Sequence, residues 1–162
     1  MLDLKKLIEG AVDSVAFDTV IGHEGLSDDI KSGTARVTGE VRDHSGFITL
    51  NGTVKPEFTA VCGRCGKHFV YSVPIALYAK ITDKLANDDE DEFVIMTDDS
   101  IDIDDIARSA LVLELPLRFL CKNDCRGLCP KCGADLNIAQ CSCDLKDHDH
   151  RWDALLGYFD EE

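Results

Sequence analysis

The sequence predicts an α+β fold: an antiparallel, barrel-like β-sheet, one long helix and a cysteine-rich C-terminal module. Three observations predict it. Apolar and polar residues alternate with period two through much of residues 34–81. Apolar residues take up helical spacing from about Ile103. Six cysteines crowd into the stretch from Cys121 to Cys143.

The totals allow such a plan. With 162 residues and 44% hydrophobic content, the chain can build one ordinary domain with an appendage, and can bury a core without staples. No run approaches the ~20 apolar residues that span a bilayer. The opening "MLDLKKLIEG" carries Asp3, Lys5, Lys6 and Glu9, unlike the apolar segment of a secretory signal. A cytoplasmic protein without membrane contact is therefore expected. Thiols stay reduced in that compartment, so clustered cysteines point to metal or redox work rather than to disulfides. The net charge is -14, which disfavours charge-driven binding to a phosphate backbone. An acidic surface serves solubility, and it also suits a basic partner.

In "TARVTGEVR", Ala35, Val37 and Val41 alternate with polar residues, and Gly39 falls on the apolar side. "DHSG" reads as a turn. From Phe47 to Cys62, Ile48, Leu50, Val54, Phe58 and Ala60 share one face and Thr49, Asn51, Thr53, Lys55, Glu57 and Thr59 the other. One face wants a core and the other water, which suits antiparallel strands. Gly52 and Pro56 predict a bend, a bulge or an edge position. After "VCGRCGKH" the alternation resumes from Phe69 to Ile81, so the first cysteine pair belongs at a hairpin tip.

Eleven acids and one lysine fill residues 83–105. "NDDEDE" reads as a loop and "FVIM" as a short strand. Ile103, Ile106, Ala107, Ala110 and Leu111 predict a helix over about 103–115. Asp102 or Asp104 can cap it, and Pro116 ends it. Capping accounts for these aspartates without a magnesium site. A short amphipathic helix is expected at the C-terminus, with Trp152, Leu155, Leu156 and Phe159 on one face. Two regions follow: a β-rich core at 1–116 and a metal-binding tail at 117–162.

The thiol spacing carries the chemistry. Cys129 and Cys132 in "CPKCG" form a knuckle, with a glycine where the chain needs positive φ. Cys141 and Cys143 supply a second pair. Knuckle, short loop and second pair make a zinc-ribbon-like arrangement with four tetrahedral ligands. Cys62 and Cys65 in "CGRCG" form another knuckle, and with Cys121 and Cys125 they suffice for a second site. Two zinc ions per chain are the expected cofactors. Iron in a thiolate cage fits the same ligands, and the pairs can be exchanged between sites because Cys125 and Cys129 are close. A cytosolic thiol redox protein using its C-x-x-C pairs is the alternative, although such centres favour a βαβ setting. Four thiolates leave no open position for catalysis, and no nucleophile–base set stands out, so an enzyme is not expected. Arg118, Lys122, Arg126 and Lys131 form a basic island opposed by Asp124 alone between residues 116 and 133. They can offset metal–thiolate charge or meet nucleic-acid phosphates.

"CGRC" between strands, then "IDIDDIARSALVLELPLRFLC", "DCRGLCPKCGADLN", "CSC" and "RWDALLGYF", resembles the YceD family of large-subunit ribosomal RNA accumulation proteins. The resemblance runs from about Thr34 to Phe159. It implies a role in the synthesis, processing or accumulation of 23S rRNA and in large-subunit assembly. It also implies a partner, either that RNA or a basic large-subunit ribosomal protein. It supplies no catalytic residues.

Overall fold

A computed structural model describes residues 1–44, 46–83 and 93–143. The alternating runs form strands: β1 (Leu2–Asp3), β2 (Ser14–Gly22), β3 (Ile30–His44), β4 (Phe47–Val61), β5 (His68–Tyr71), β6 (Ile75–Thr82), β7 (Phe93–Ile95) and β8 (Ser100–Ile101). Among the described residues two helices accompany them, α1 (Lys5–Ile8) and α2 (Ile103–Glu114). The main sheet runs β2-β3-β4-β6-β7, with β5 also paired to β4. All its pairs are antiparallel except β6–β7, which is parallel. β1 and β8 make a separate small ladder.

β4 is the central strand. It pairs with β3 along its whole length, from His44↔Phe47 to Ile30↔Ala60. On its other side β6 covers Ile48 to Val54 and β5 covers Phe58 to Val61, in one continuous register. β5 and β6 are thus one long strand interrupted around Pro74. Pro56 lies in the gap between those two pairings, a position where a missing N–H costs little.

Gly52 makes neither a bend nor a bulge. The register passes unbroken through Gly39↔Gly52, and the irregularity falls at Ile30/Ser32 instead. A side chain at Gly39 would meet the Phe17 ring at 2.7 Å. The glycine pair makes room for that ring, so packing selects it.

The buried face carries Phe17, Ile21, Ala35, Val37, Val41, Leu50, Val54, Phe58, Leu77 and Ile81. Leu4 and Leu7 from the α1 segment close one part of it. Ile103, Ile106, Ala107 and Leu111 of α2 close another. Helices therefore cover this face, and the edges β2 and β7 do not meet. Among the described residues the expected barrel-like closure is absent: the sheet is open. Nor is the helix long. Asp102 caps it by accepting from the N–H groups of Asp104 and Asp105 at 3.0 and 3.3 Å. Leu115 is already extended before Pro116, which leaves twelve residues, about three turns and an ordinary helix length.

Among the described residues no helix is long and apolar enough to cross a membrane. The expected C-terminal helix around Trp152, Leu155, Leu156 and Phe159 lies outside the described residues, as does the acidic run 84–92.

Candidate metal centres

The β4–β5 hairpin tip is the turn Cys62–Lys67. Cys62 N–H donates to Lys67 O at 2.9 Å, and Gly66 N–H donates to Cys62 O at 2.8 Å. Gly66 takes φ +68°, which a glycine reaches without strain. This turn presents Cys62 and Cys65 side by side. The facing pair arrives after α2. Phe119 is 1% exposed, its ring stands edge-on to Tyr71 at 5.3 Å, and its carbonyl accepts from Gly63 N–H at 2.9 Å. That anchor delivers Cys121 and Cys125 to the hairpin tip. The Sγ atoms of Cys62 and Cys125 are 3.8 Å apart and those of Cys65 and Cys121 3.7 Å, and all four lie within 4.8 Å of one another. We call this the proximal cluster.

The distal cluster repeats the turn. Gly133 N–H donates to Cys129 O at 2.8 Å, with Gly133 at φ +73°. Cys141 and Cys143 join Cys129 and Cys132, again with all four sulfurs within 4.8 Å. The two sets of four follow the spacing. No exchange between Cys125 and Cys129 occurs, because Phe119 and the Gly63 contact hold Cys121 and Cys125 against the sheet. All eight cysteines are free thiols.

The donor sets fit a tetrahedral ion. A Zn–S bond of about 2.3 Å places sulfurs about 3.8 Å apart, the spacing of the two closest proximal pairs. Four thiols this close cannot all ionise without a cation, and the protons divide unevenly. Burial pushes Cys62 up, but backbone hydrogen bonds from Cys121, Arg64 and Cys65 outweigh it and bring it down to about 6. Burial and the neighbouring thiols push Cys121 up to about 12. In the distal cluster, backbone hydrogen bonds from Cys132 and Lys131 bring Cys129 down to about 6. The Cys132 thiol, with burial and Cys129, pushes Cys143 up to about 12. The two sites differ in cover. Cys62 and Cys125 are buried, whereas Cys132 is exposed.

The basic island interleaves with the cysteines along the chain. Arg118, Lys122, Arg126 and Lys131 are all exposed. The stem of Arg118 lies over Gly63, whose Cβ would meet its Cγ at 2.8 Å. Lys122 pairs loosely with Asp124 at 3.8 Å. The hairpin tip adds two cations that spacing alone did not connect with the tail. Arg64 Nη1 donates to Cys125 O at 2.8 Å, and the charge of Lys67 acts on Asp135. "CGRCGK" displayed both, but only the fold brings them to the island. Asn137 is the other addition, and nothing in "GADLN" marks it: its Nδ2 donates to Cys125 Sγ at 3.5 Å.

Residues 50–157 match the family model for large ribosomal RNA subunit accumulation protein YceD. An uncharacterized protein of Mycobacterium tuberculosis is 34% identical over 95 residues, covering 55% of this chain and 45% of that protein. An uncharacterized protein of Mycobacterium leprae is 30% identical over 96 residues, covering 56% and 44%. The Arabidopsis thaliana protein named large ribosomal RNA subunit accumulation protein YCED homolog 1, chloroplastic, is 36% identical over 55 residues, covering 34% of this chain and 17% of that protein. The chain thus spans less than half the length of these curated relatives. No solved structure matches. With more than half of the chain and all eight cysteines inside the matched span, the chain belongs to the YceD family.

Proposed function

We propose that this chain is a non-enzymatic cytoplasmic factor for 23S rRNA synthesis, processing or accumulation, and so for large ribosomal subunit assembly. The observation that carries the proposal is the family match over residues 50–157. Two zinc ions hold the cysteine module, one on Cys62, Cys65, Cys121 and Cys125, the other on Cys129, Cys132, Cys141 and Cys143. When bound, zinc supplies folding energy to a small module and, with four thiolates around it, offers no open position to a substrate. Thiols disposed in fours rather than in isolated pairs support this reading over redox cycling.

The protein's own residues then supply the recognition surface. Each zinc with four thiolates carries two net negative charges. Arg64, Lys67, Arg118, Lys122, Arg126 and Lys131 offset them and leave a local surface far less repulsive than the chain's average. In this reading Arg118, Lys122, Arg126 and Lys131 meet rRNA phosphates, and direct contact is confined to this side; their exposure supports it. The acidic remainder suits a basic large-subunit ribosomal protein, which attracts through charge mainly on the association rate.

Crosslinking in cells, with sequencing of bound RNA and identification of bound protein, tests the reading. Recovery of 23S rRNA or a large-subunit protein is expected. Recovery of neither, with rRNA levels unchanged when the chain is depleted, overturns it.

A further inference from the structure

One corner of the proximal cluster is held from the distal module. Asn137 lies in the loop between Cys132 and Cys141, and its Nδ2 donates to Cys125 Sγ at 3.5 Å. The orientation of its amide is set locally. Oδ1 accepts from Arg126 N–H at 2.9 Å, so the amino end faces sulfur. Asp135 Oδ1 accepts from both the backbone N–H and Nδ2 of Asn137, at 2.8 and 2.7 Å. The loop is also braced on the proximal side. Leu136 N–H donates to Gly127 O at 3.0 Å, and Leu128 N–H donates to Arg64 O at 3.2 Å. Gly127 has φ +75°, and a Cβ there would stand 2.9 Å from Arg64 O, so the two segments approach this closely because this residue is glycine. Little apolar burial helps the loop, since its Ile138 is 85% exposed.

An N–H donated to a ligating sulfur stabilises its thiolate and fixes its direction, and loss of such a contact typically costs 10–100-fold in metal affinity. The loop that provides it is closed by Cys129, Cys132, Cys141 and Cys143. We infer that the two cysteine clusters are coupled, and that Asn137 is the positioning residue through which the distal metal strengthens the proximal one. The inference rests on the two-metal reading above. Coupling is reciprocal, so a filled proximal site equally favours distal closure.

The test uses the full chain loaded with zinc and titrated with a chromophoric chelator. Cys132→Ser leaves one zinc, held at the proximal site, and Cys62→Ser assigns the distal affinity. Proximal affinity is expected to fall about tenfold or more in Cys132→Ser. Asn137→Ala and Asn137→Asp keep two zincs but weaken the proximal one by a similar factor. Adding Asn137→Ala to Cys132→Ser produces little further loss, because both remove one contact. In cobalt-loaded protein, Asn137→Ala shifts the sulfur-to-metal charge-transfer band, which a purely structural role of the loop would not do. Two zincs released independently overturn the coupling, and additive losses in the double variant overturn Asn137 as its route; both leave the two-metal reading intact. Chelator-free protein containing no metal overturns both.

Discussion

Replacing Phe119 by alanine removes a large buried side chain that ties the start of the cysteine tail to the sheet. Its ring is 1% exposed and packs edge-on against Tyr71, with the planes at 87°. Truncating a buried phenylalanine costs about 3–5 kcal/mol, of which the aromatic pair supplies about 1. Against a total stability of about 5–15 kcal/mol this is a large fraction, and it should lower the melting temperature by about 10 °C. The loss has a second address. The Phe119 carbonyl receives Gly63 N–H, so disturbing it loosens the approach of Cys121 and Cys125 to the hairpin tip. Urea unfolding followed by circular dichroism at fixed free zinc measures the first effect, and chelator competition for the proximal zinc measures the second. Val70→Ala is the control: Val70 sits on the same short strand but is 66% exposed, so its change should stay within about 0.5 kcal/mol. A Phe119→Ala loss no larger than that of the control, or a large stability loss with unchanged proximal zinc retention, refutes the reasoning.

Other outcomes follow from the same geometry. Cys132→Ser should lose one zinc equivalent by elemental analysis while far-UV circular dichroism keeps the sheet signal, because the strands have their own core. Zinc retention should fall as the pH is lowered. Loading must expel the protons that Cys121 and Cys143 hold, pushed up to about 12, so added protons favour the metal-free form; a retention profile flat from pH 8 to pH 5 contradicts this. If Arg118, Lys122, Arg126 and Lys131 meet single-stranded rRNA, log affinity should fall with log salt at a slope of about -2.8, and each lysine removed should reduce the slope by about 0.7. Lys122→Ala with Lys131→Ala, assayed for both RNA affinity and zinc content, separates phosphate contact from charge compensation at the metal.

The sheet was legible where its signal is local. Ala35, Val37 and Val41, and Leu50, Val54, Phe58 and Ala60, alternate because one face meets the core, and those same residues are buried. Val15, Phe17 and Ile21 alternate in the same way and form β2, but Thr19 interrupts the apolar series and weakens the signal. Which strands pair, and whether the sheet closes, is non-local. Closure depends on what covers the inner face, and here Leu4, Leu7 and α2 cover it. Gly52 shows the limit of a local rule. Its partner Gly39 and the Phe17 ring decide its role, and neither is adjacent in sequence. The knuckles were readable from C-x-x-C and the trailing glycine. Their grouping followed the spacing, but excluding an exchange of pairs needed Phe119, and the contact of Asn137 with Cys125 has no sequence signature.

The hairpin-tip position of Cys62 and Cys65 has a consequence for biosynthesis. Cys125 follows Cys62 by 63 residues. At synthesis rates of about 5–20 residues per second, several seconds pass between the emergence of one half of the proximal site and the other. During that interval β3, β4 and the interrupted β5–β6 strand can pair, since each neighbours the next along the chain. The nascent protein then carries a folded meander with a two-thiol tip awaiting its partners. Capturing them closes a long loop, and by analogy with a cross-link of that length the metal removes about 4 kcal/mol of unfolded-chain entropy. Pulse-labelled hydrogen exchange during refolding should protect Val37, Val54 and Leu77 before Cys125, with zinc accelerating only the later phase.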